Sequence, residues 1–584
     1  MNPDAYLAII APGVDADGIN SRAGRAAHDL HMQCIFQCDG LVVLARPDTR
    51  IHTLGENGLA IGTLVTPAPE TGHPWTEPAD RRQLISGCWG DYVAFFRDPK
   101  VSGITVIRAP SGGLPAFRTT DGNLTFVSSD VASLLAVTGS QPRINWHFIA
   151  HSLAFPHLRT GATGLAGIDE LWAGDCTSFM PGDDRRAAYW SPWDFAAPER
   201  QLADSVEAHQ LVRHAVNEAV AGLVRPYRSI LLELSGGLDS SVLAAALAAS
   251  GAQATAINLV TPGGEGDERN YARATAASCG LPLAERAVAA DVDLTAVAAE
   301  RRARPGIPSI LGPADRLLGD FARDSGVDAF ISGTGGDCVF CSPASAAPAA
   351  DALRTFGVGR RFARAVQHIA EIHDTTLWTA GSMAWRQAHR PPIHRIWPAN
   401  HAFLAKDRLP REPDFHPWLA EPADALPGRR SHIRSVIAAF AHLDGYARHA
   451  VAPSLFPLLS QPVMEACFRI PTWMWIDGGR DRAVARVAFR DVLPARVLDR
   501  RSKGGMDAYC IRNFEANRSR IEPFLLEGHL AGAGLLDRPV VASFLRQPVS
   551  VRDQRFYRLL PIIDAEAWVR GWLGSAPPRN ADER

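Results

Sequence analysis

The run Ser235-Gly236-Gly237-Leu238-Asp239-Ser240-Ser241 constrains this chain more than any other feature, because of what flanks it: residues 229–234 (SILLEL) before it and the small-residue stretch 240–249 after it. A short apolar run, two glycines and a helix-compatible run predict a buried strand that turns directly into a helix. The glycines let the backbone turn tightly and approach an anion, while the helix aims unpaired N–H groups and the positive end of its dipole at the same point. Such a loop can grip pyrophosphate. Ser235 and Ser240 add hydroxyl donors, and Asp239, which would repel phosphate, is explained if a divalent cation lies between them. The G-x-x-x-x-G-K-[ST] spacing of a Walker A loop is absent.

The same grammar continues downstream. Ala254–Val260 predicts a second strand, residues 267–279 a helix closed by Gly280, and residues 327–332 a further strand that runs into Gly333-Thr334-Gly335-Gly336-Asp337. Alternating strands and helices imply a parallel sheet with ligands at the carboxyl ends of its strands. If the two glycine-bearing strands are neighbours, Asp337 supplies a second carboxylate to the same crevice, and Asp239 with Asp337 forms a Mg2+ site. Before about residue 190 the pattern is different: β-type runs at Tyr6–Ile10, Leu41–Ala45, 93–96, 104–107 and 124–127, separated by Gly, Pro and Asp turns. Residues 183–200, with Pro192 and Pro198, mark the boundary between units 1–195 and 196–584. Eight prolines between Pro391 and Pro427 predict an irregular surface loop, or a lid or peptide-binding wall, and helical patterns resume at Ser431.

Composition narrows the partners. With a formal net charge of −2 over 584 residues, no global field draws the chain to nucleic acid or an anionic membrane. Nine thinly spread cysteines oppose a disulfide framework and fit a reducing compartment. The start MNPDAYLAII lacks a basic n-region, and no apolar run reaches the roughly 18 residues of a membrane span, so a soluble cytoplasmic protein is expected.

Of 60 basic residues only Lys100, Lys406 and Lys503 are lysines. Lys503 sits in the glycine-bearing run Arg500-Arg501-Ser502-Lys503-Gly504-Gly505-Met506-Asp507, where a compact ammonium can act on substrate. Upstream, residues 481–490 predict a helix with Arg482, Arg486 and Arg490 on one solvated face. Cys338-x-x-Cys341 has no second pair to complete a zinc site, and His389, His394, His401 and His416 lack metal spacing and are expected at the surface.

Together SGGLDSS, SGTGGD about a hundred residues later, and SKGG preceded by Leu493-Pro494 and Arg500 resemble the asparagine synthetase superfamily. In the first half, Gly87-Cys88-Trp89-Gly90-Asp91-Tyr92, Arg108-Ala109-Pro110, Gly113-Leu114-Pro115 and Ser128-Ser129-Asp130 are similar to the class II glutamine amidotransferase domain of the same enzymes. The resemblance implies an α/β and α+β chain: an N-terminal Ntn-type αββα sandwich, then a parallel-sheet, PP-loop (adenine nucleotide alpha-hydrolase-like) synthetase domain with a helical C-terminal part. It implies ATP and Mg2+, an ATP site of Leu234, Ser235, Gly236, Gly237, Asp239, Ser240, Ser241, Leu259 and Gly333, metal ligands Asp239 and Asp337, and Lys503 as the catalytic cation.

Two departures redirect the function. The family's glutaminase uses an N-terminal cysteine, and residue 2 here is Asn2, with Cys34 and Cys38 too far along to substitute. Glutamine hydrolysis by that mechanism is therefore not expected. Thr334 stands where asparagine synthetases carry glutamate and β-lactam synthetases tyrosine, which leaves the base open; Glu371, His373 and Asp374 are candidate replacements. The pattern GTGGDCVFC without the cysteine is similar to lasso-peptide macrolactam synthetases. The expected reaction is adenylation of an Asp or Glu side chain of a precursor peptide and capture by its N-terminal amine, with a leader peptidase and a leader-binding protein as partners and no nucleic acid or membrane. The alternatives are a glutamine-independent asparagine or β-lactam-type synthetase, and a non-catalytic nucleotide-binding scaffold.

Overall fold

In the computed structural model, residues 4–13, 16–66, 81–98, 103–262, 266–297, 301–390, 397–501, 504–548 and 553–574 are described. Two six-stranded antiparallel sheets form the first half. One runs in the order Asp169–Glu170, Phe117–Asp121, Leu124–Ser128, Tyr6–Ile10, Leu41–Ala45, Gln33–Cys38; the other Asp183–Ala188, Asp175–Met180, Gly103–Arg108, Trp89–Asp98, Gly58–Val65, Ile51–Thr53.

Strand periodicity explains how the central strands of each sheet bury both faces. Tyr6, Ala8, Ile10, Leu41 and Val43 face Ile61, Val93, Phe95, Val106 and Phe179 of the second sheet, with the Tyr6 and Phe95 rings edge-to-face at 5.7 Å. Leu7, Ile9, Val42 and Leu44 point the other way, under Ile19, Ala23 and Ala26 of the helix Ala16–Asp29. The outer face of the second sheet is covered by helices Ser205–Val224 and Gln461–Arg469, which completes an αββα sandwich. Helix Ser205–Val224 starts at an Asp204 cap and buries Ala208, Val212, Ala215, Val216, Ala219, Val220 and Leu223 at helical spacing. A Cβ at its Gly222 would lie 2.5 Å from the Trp89 ring, so only glycine lets the helix approach that closely.

The second half is built on a five-stranded parallel sheet ordered Leu283–Ala287, Ala254–Val260, Ile230–Glu233, Ala329–Ile331, Ser454–Leu455. In chain order this is 3-2-1-4-5, so the strand order reverses between Ile230–Glu233 and Ala329–Ile331, and the carboxyl end of that pair is the topological switch point. Helix Leu238–Ser250 is buried along its first ten residues, which is why it carries only Ala, Leu, Val, Ser and one Asp there. The last described stretch holds helices Asp507–Leu526, Arg538–Leu545 and Phe556–Leu573.

Two expectations about the proline-rich stretch change. Residues 397–426 contain only short 3-10 turns, yet they are not a free surface loop: Trp418 packs on Trp190 and Phe440 and accepts Trp193 Nε1–H on its carbonyl at 2.8 Å. His416 is buried with them, and burial pushes its imidazole down to about 3. His389 is exposed, and His394 lies outside the described residues with the rest of 391–396.

Glu170 ties the halves together. Its carboxylate is buried against Arg108 at 2.9 Å, Arg159 at 2.8 Å and, from the second half, Arg304 at 2.8 Å. Burial alone would raise its pKa, but the three guanidinia outweigh that and hold it well below the usual carboxylate range. Glu170→Gln leaves three buried arginines without their shared anion, and chemical denaturation is expected to show a loss of about 3–5 kcal/mol.

Candidate active site

The phosphate-type loop emerges from the central strand at the switch point. Gly236 has φ +77°, and a Cβ there would meet Tyr271 Cβ at 2.6 Å and the Ala272 nitrogen at 2.8 Å, so both its backbone angle and the helix Arg269–Cys279 demand glycine. Helix Leu238–Ser250 begins at Gly237 with no side-chain cap, which leaves its first N–H groups directed at the cleft. Ser235 Oγ lies 3.2 Å from Ser240 Oγ and accepts from the Gly237 N–H at 3.3 Å.

The second loop packs directly against that helix start. Added Cβ atoms would lie 3.0 Å from the Ser240 nitrogen at Gly333, and 2.5 Å from Asp239 Cβ and Cγ at Gly336. The strands pair in parallel, Leu232 opposite Ile331, so the two loops open side by side as the sequence requires for a joint site.

Between Asp239 and Asp337 sits a guanidinium. Arg482 Nη1 donates to Asp239 Oδ2 at 3.0 Å and Oδ1 at 3.2 Å and also to Asp337 Oδ1, while its Nε donates to Asp481 at 3.0 Å. Burial, which lowers the guanidinium pKa, is outweighed by Asp239, Asp481 and Asp337, and the group stays charged. This corrects the solvated arginine face. Arg482 has φ +51° and precedes the helix Ala483–Ala488 rather than belonging to it, and Arg486 is buried on the Asp481 carboxylate at 3.0 Å and the Leu498 carbonyl at 2.6 Å; only Arg490 is exposed. The helical spacing misled because Arg482 leaves the helix face by its left-handed backbone.

These loops line a cleft of about 700 Å³. Of the sequence-derived residues, Leu234, Ser235, Gly237, Asp239, Ser240, Leu259, Gly333 and Asp337 line it. Gly236 shapes the loop instead, and Ser241 faces away: its hydroxyl lies 3.1 Å from that of buried Thr275. Asn2 and Lys503 lie outside the described residues. Arg501 and Gly504, on either side of 502–503, line the cleft, and the segment is docked there by Arg500 on Glu268 at 2.5 Å and the Gly504 N–H on the same oxygen at 3.0 Å. Of the replacement bases, Glu371 lines the cleft, where Gln367 donates to it at 2.8 Å; His373 and Asp374 do not. Cys338 and Cys341 are free thiols, and among the described residues no group of three His, Cys, Asp or Glu could hold a metal alone. Asp239 and Asp337, spanned by one guanidinium nitrogen, nevertheless offer the carboxylate oxygens that would hold a Mg2+ ion.

The family model described as asparagine synthase matches residues 211–570. The chain belongs to the asparagine synthase family. The matched span holds both glycine loops, Arg482 and residues 500–507. A search of curated proteins finds no match. Two solved structures are similar over about half of the chain. One is a glutamine phosphoribosylpyrophosphate amidotransferase from B. subtilis complexed with ADP and GMP: 9% identity, 48% of this chain and 65% of that one, TM-score 0.21. The other is described as the allosteric regulatory enzyme of purine biosynthesis: 9% identity, 51% and 77%, TM-score 0.19. The chain thus spans slightly under two thirds of the first of these.

The tight contact between loops predicts that Gly336→Ala, by displacing the Asp239 side chain, weakens ATP binding about tenfold in calorimetric titration, the equivalent of the roughly 1–3 kcal/mol that overpacking costs.

Proposed function

We propose that this chain is an ATP-dependent amide-forming ligase of the lasso-peptide cyclase type. It converts an Asp or Glu side-chain carboxylate of a precursor peptide into an acyl-adenylate, releasing pyrophosphate, and joins it to the peptide's N-terminal amine, releasing AMP. The observation that carries the ligase reading is the convergence of Asp239, Asp337 and Arg482 at the ends of two neighbouring strands, beside an uncapped helix N-terminus. Thr334 in GTGGDCVFC, in place of the glutamate of asparagine synthetases, favours an amine carried by the substrate itself.

A carboxylate is a poor electrophile, so the site must first hold triphosphate with its α-phosphorus toward the carboxylate. In this reading the N–H groups that open helix Leu238–Ser250, with Ser235 and Ser240, grip the phosphates, and Leu234, Leu259 and Gly333 wall the adenine. Asp239 and Asp337 would hold Mg2+, which when bound neutralises phosphate charge. Arg482, released from those carboxylates, then turns to the phosphates; a guanidinium is always charged and suits oxyanions. Lys503 stabilises negative charge on the α-phosphate and on the tetrahedral oxyanion formed when the amine attacks. A leader peptidase and a leader-binding protein supply the peptide in a reducing cytoplasm.

The test is pyrophosphate release with a precursor peptide, compared with free aspartate and with carboxyethyl amino acids. Peptide-dependent release and a product lighter by one water are expected. Asp239→Ala and Lys503→Ala each lose at least about 100-fold, while Asn2→Ala retains wild-type turnover. Release with free aspartate and ammonia, and none with peptide, establishes the small-molecule alternative, and substantial turnover by Lys503→Ala removes that residue from the mechanism.

A further inference from the structure

The cleft wraps both faces of the sheet's carboxyl edge. In the strand Ile230–Glu233, Ile230 and Leu232 join the core on the side of helix Leu238–Ser250, whereas Leu231 packs with Leu318 and Ala322 of helix Gly312–Ser325 on the opposite face. Glu233 follows Leu231 by two and lies on that opposite face. It is the one charged residue of SILLEL, in a position where a doubly covered parallel sheet ordinarily carries an apolar side chain.

A costly charge here needs a partner, and it has a buried one. Arg448 Nη2 donates to Glu233 Oε1 at 2.6 Å, and its guanidinium lies over the rings of Phe330 at 5.1 Å and Tyr446 at 4.5 Å. Asp315 holds the same segment from the other side. Its Oδ2 accepts from the Ala447 N–H at 2.6 Å and the Arg448 N–H at 3.3 Å, and its Oδ1 lies 3.6 Å from Arg448 Nε. That Oδ1 is buried and has no hydrogen-bond partner among the described residues, although Asp315, with its side chain only 4% exposed, lines the cleft. The Glu233 side chain is the accessible member, at 27%.

Glu233 and Asp315 share the Arg448 guanidinium, and Arg302, which donates to the Gly445 carbonyl, adds its charge beside Asp315. The surroundings are otherwise Ser332 and Thr334, whose hydroxyls lie 3.0 Å apart, and the Tyr446 ring. Such a corner turns one carboxylate, that of Glu233, and two hydroxyl groups toward the cleft. A primary ammonium group, with three donors and no acceptor, matches one carboxylate and two hydroxyl groups.

We propose that this corner of the cleft receives the amine-bearing end of the second substrate as its ammonium, paired with Glu233, with Arg448 and Asp315 as positioning residues that fix the Glu233 carboxylate. The proposal deepens the ligase reading and rests on it: the nucleotide occupies the face of helix Leu238–Ser250, and the amine arrives from the opposite face of the same strand end.

The probe is glycinamide hydrochloride, titrated into the full-length protein at pH 7 by saturation-transfer NMR, with acetamide as its neutral counterpart and Mg·ATP binding measured in parallel. Saturable glycinamide binding is expected, with acetamide not competing. Glu233→Gln should weaken it about tenfold or more, the usual value of one charge-assisted hydrogen bond, and Glu233→Asp should recover most of the loss. Asp315→Asn should lower glycinamide affinity at unchanged ATP affinity, a split that general misfolding cannot produce. Wild-type glycinamide affinity in Glu233→Gln, or equal binding of acetamide, overturns the inference. Absence of ATP binding by the wild-type protein would instead overturn the ligase reading, and the glycinamide titration is read independently of it.

Discussion

The site depends on how closely two backbones approach at one point. Gly336 lies against the start of helix Leu238–Ser250 at a distance no side chain could occupy, with Gly333 tightly packed beside it, and this contact sets Asp239 and Asp337 on adjacent loops within reach of one guanidinium. Separating the loops by a methyl group would move a carboxylate that has little room to adjust, since the helix behind it is packed on all sides. The strand order 3-2-1-4-5 provides the opening and the glycines close the distance across it.

Charge is arranged around that contact in two separate sets. On one face of the central strand, Asp239, Asp337, Asp481, Arg482 and Arg486 form a network in which every carboxylate meets a guanidinium. On the other, Glu233 and Asp315 share Arg448. Both sets lie in one cleft, yet the first suits an anion that displaces carboxylates from an arginine, and the second has acceptors to spare. A reaction that joins a phosphate-activated carboxylate to an amine needs both characters a few residues apart.

Much of this was legible in the sequence because glycine in a strand-to-helix turn has few meanings. The strand Ala254–Val260 and the helix that ends at Gly280 follow from apolar runs and a left-handed cap, and the run SILLEL before the first loop is observed as the strand Ile230–Glu233. The strands Leu283–Ala287 and Ser454–Leu455 carried no such signal: the first is LAERA, without a β-branched residue, and the second is two residues long. Arg482 escaped for a different reason. Its spacing with Arg486 and Arg490 is helical, but its backbone is left-handed, and no pattern of residue types announces that for an arginine. His416 and Trp418 were hidden by eight prolines, which mark irregular backbone without saying whether it is buried. The charge of Glu233 was visible within SILLEL, but its partners come from positions 315 and 448, and only the fold brings them together.

The central claim is that oxygen from the substrate's carboxylate attacks the α-phosphorus of ATP held across these two loops. Supplying a precursor peptide whose acceptor side chain carries an 18O-labelled carboxylate tests it directly by 31P NMR of the nucleotide products. The account predicts one labelled oxygen in AMP, with unlabelled pyrophosphate. Label in inorganic phosphate, accompanied by ADP, would contradict it.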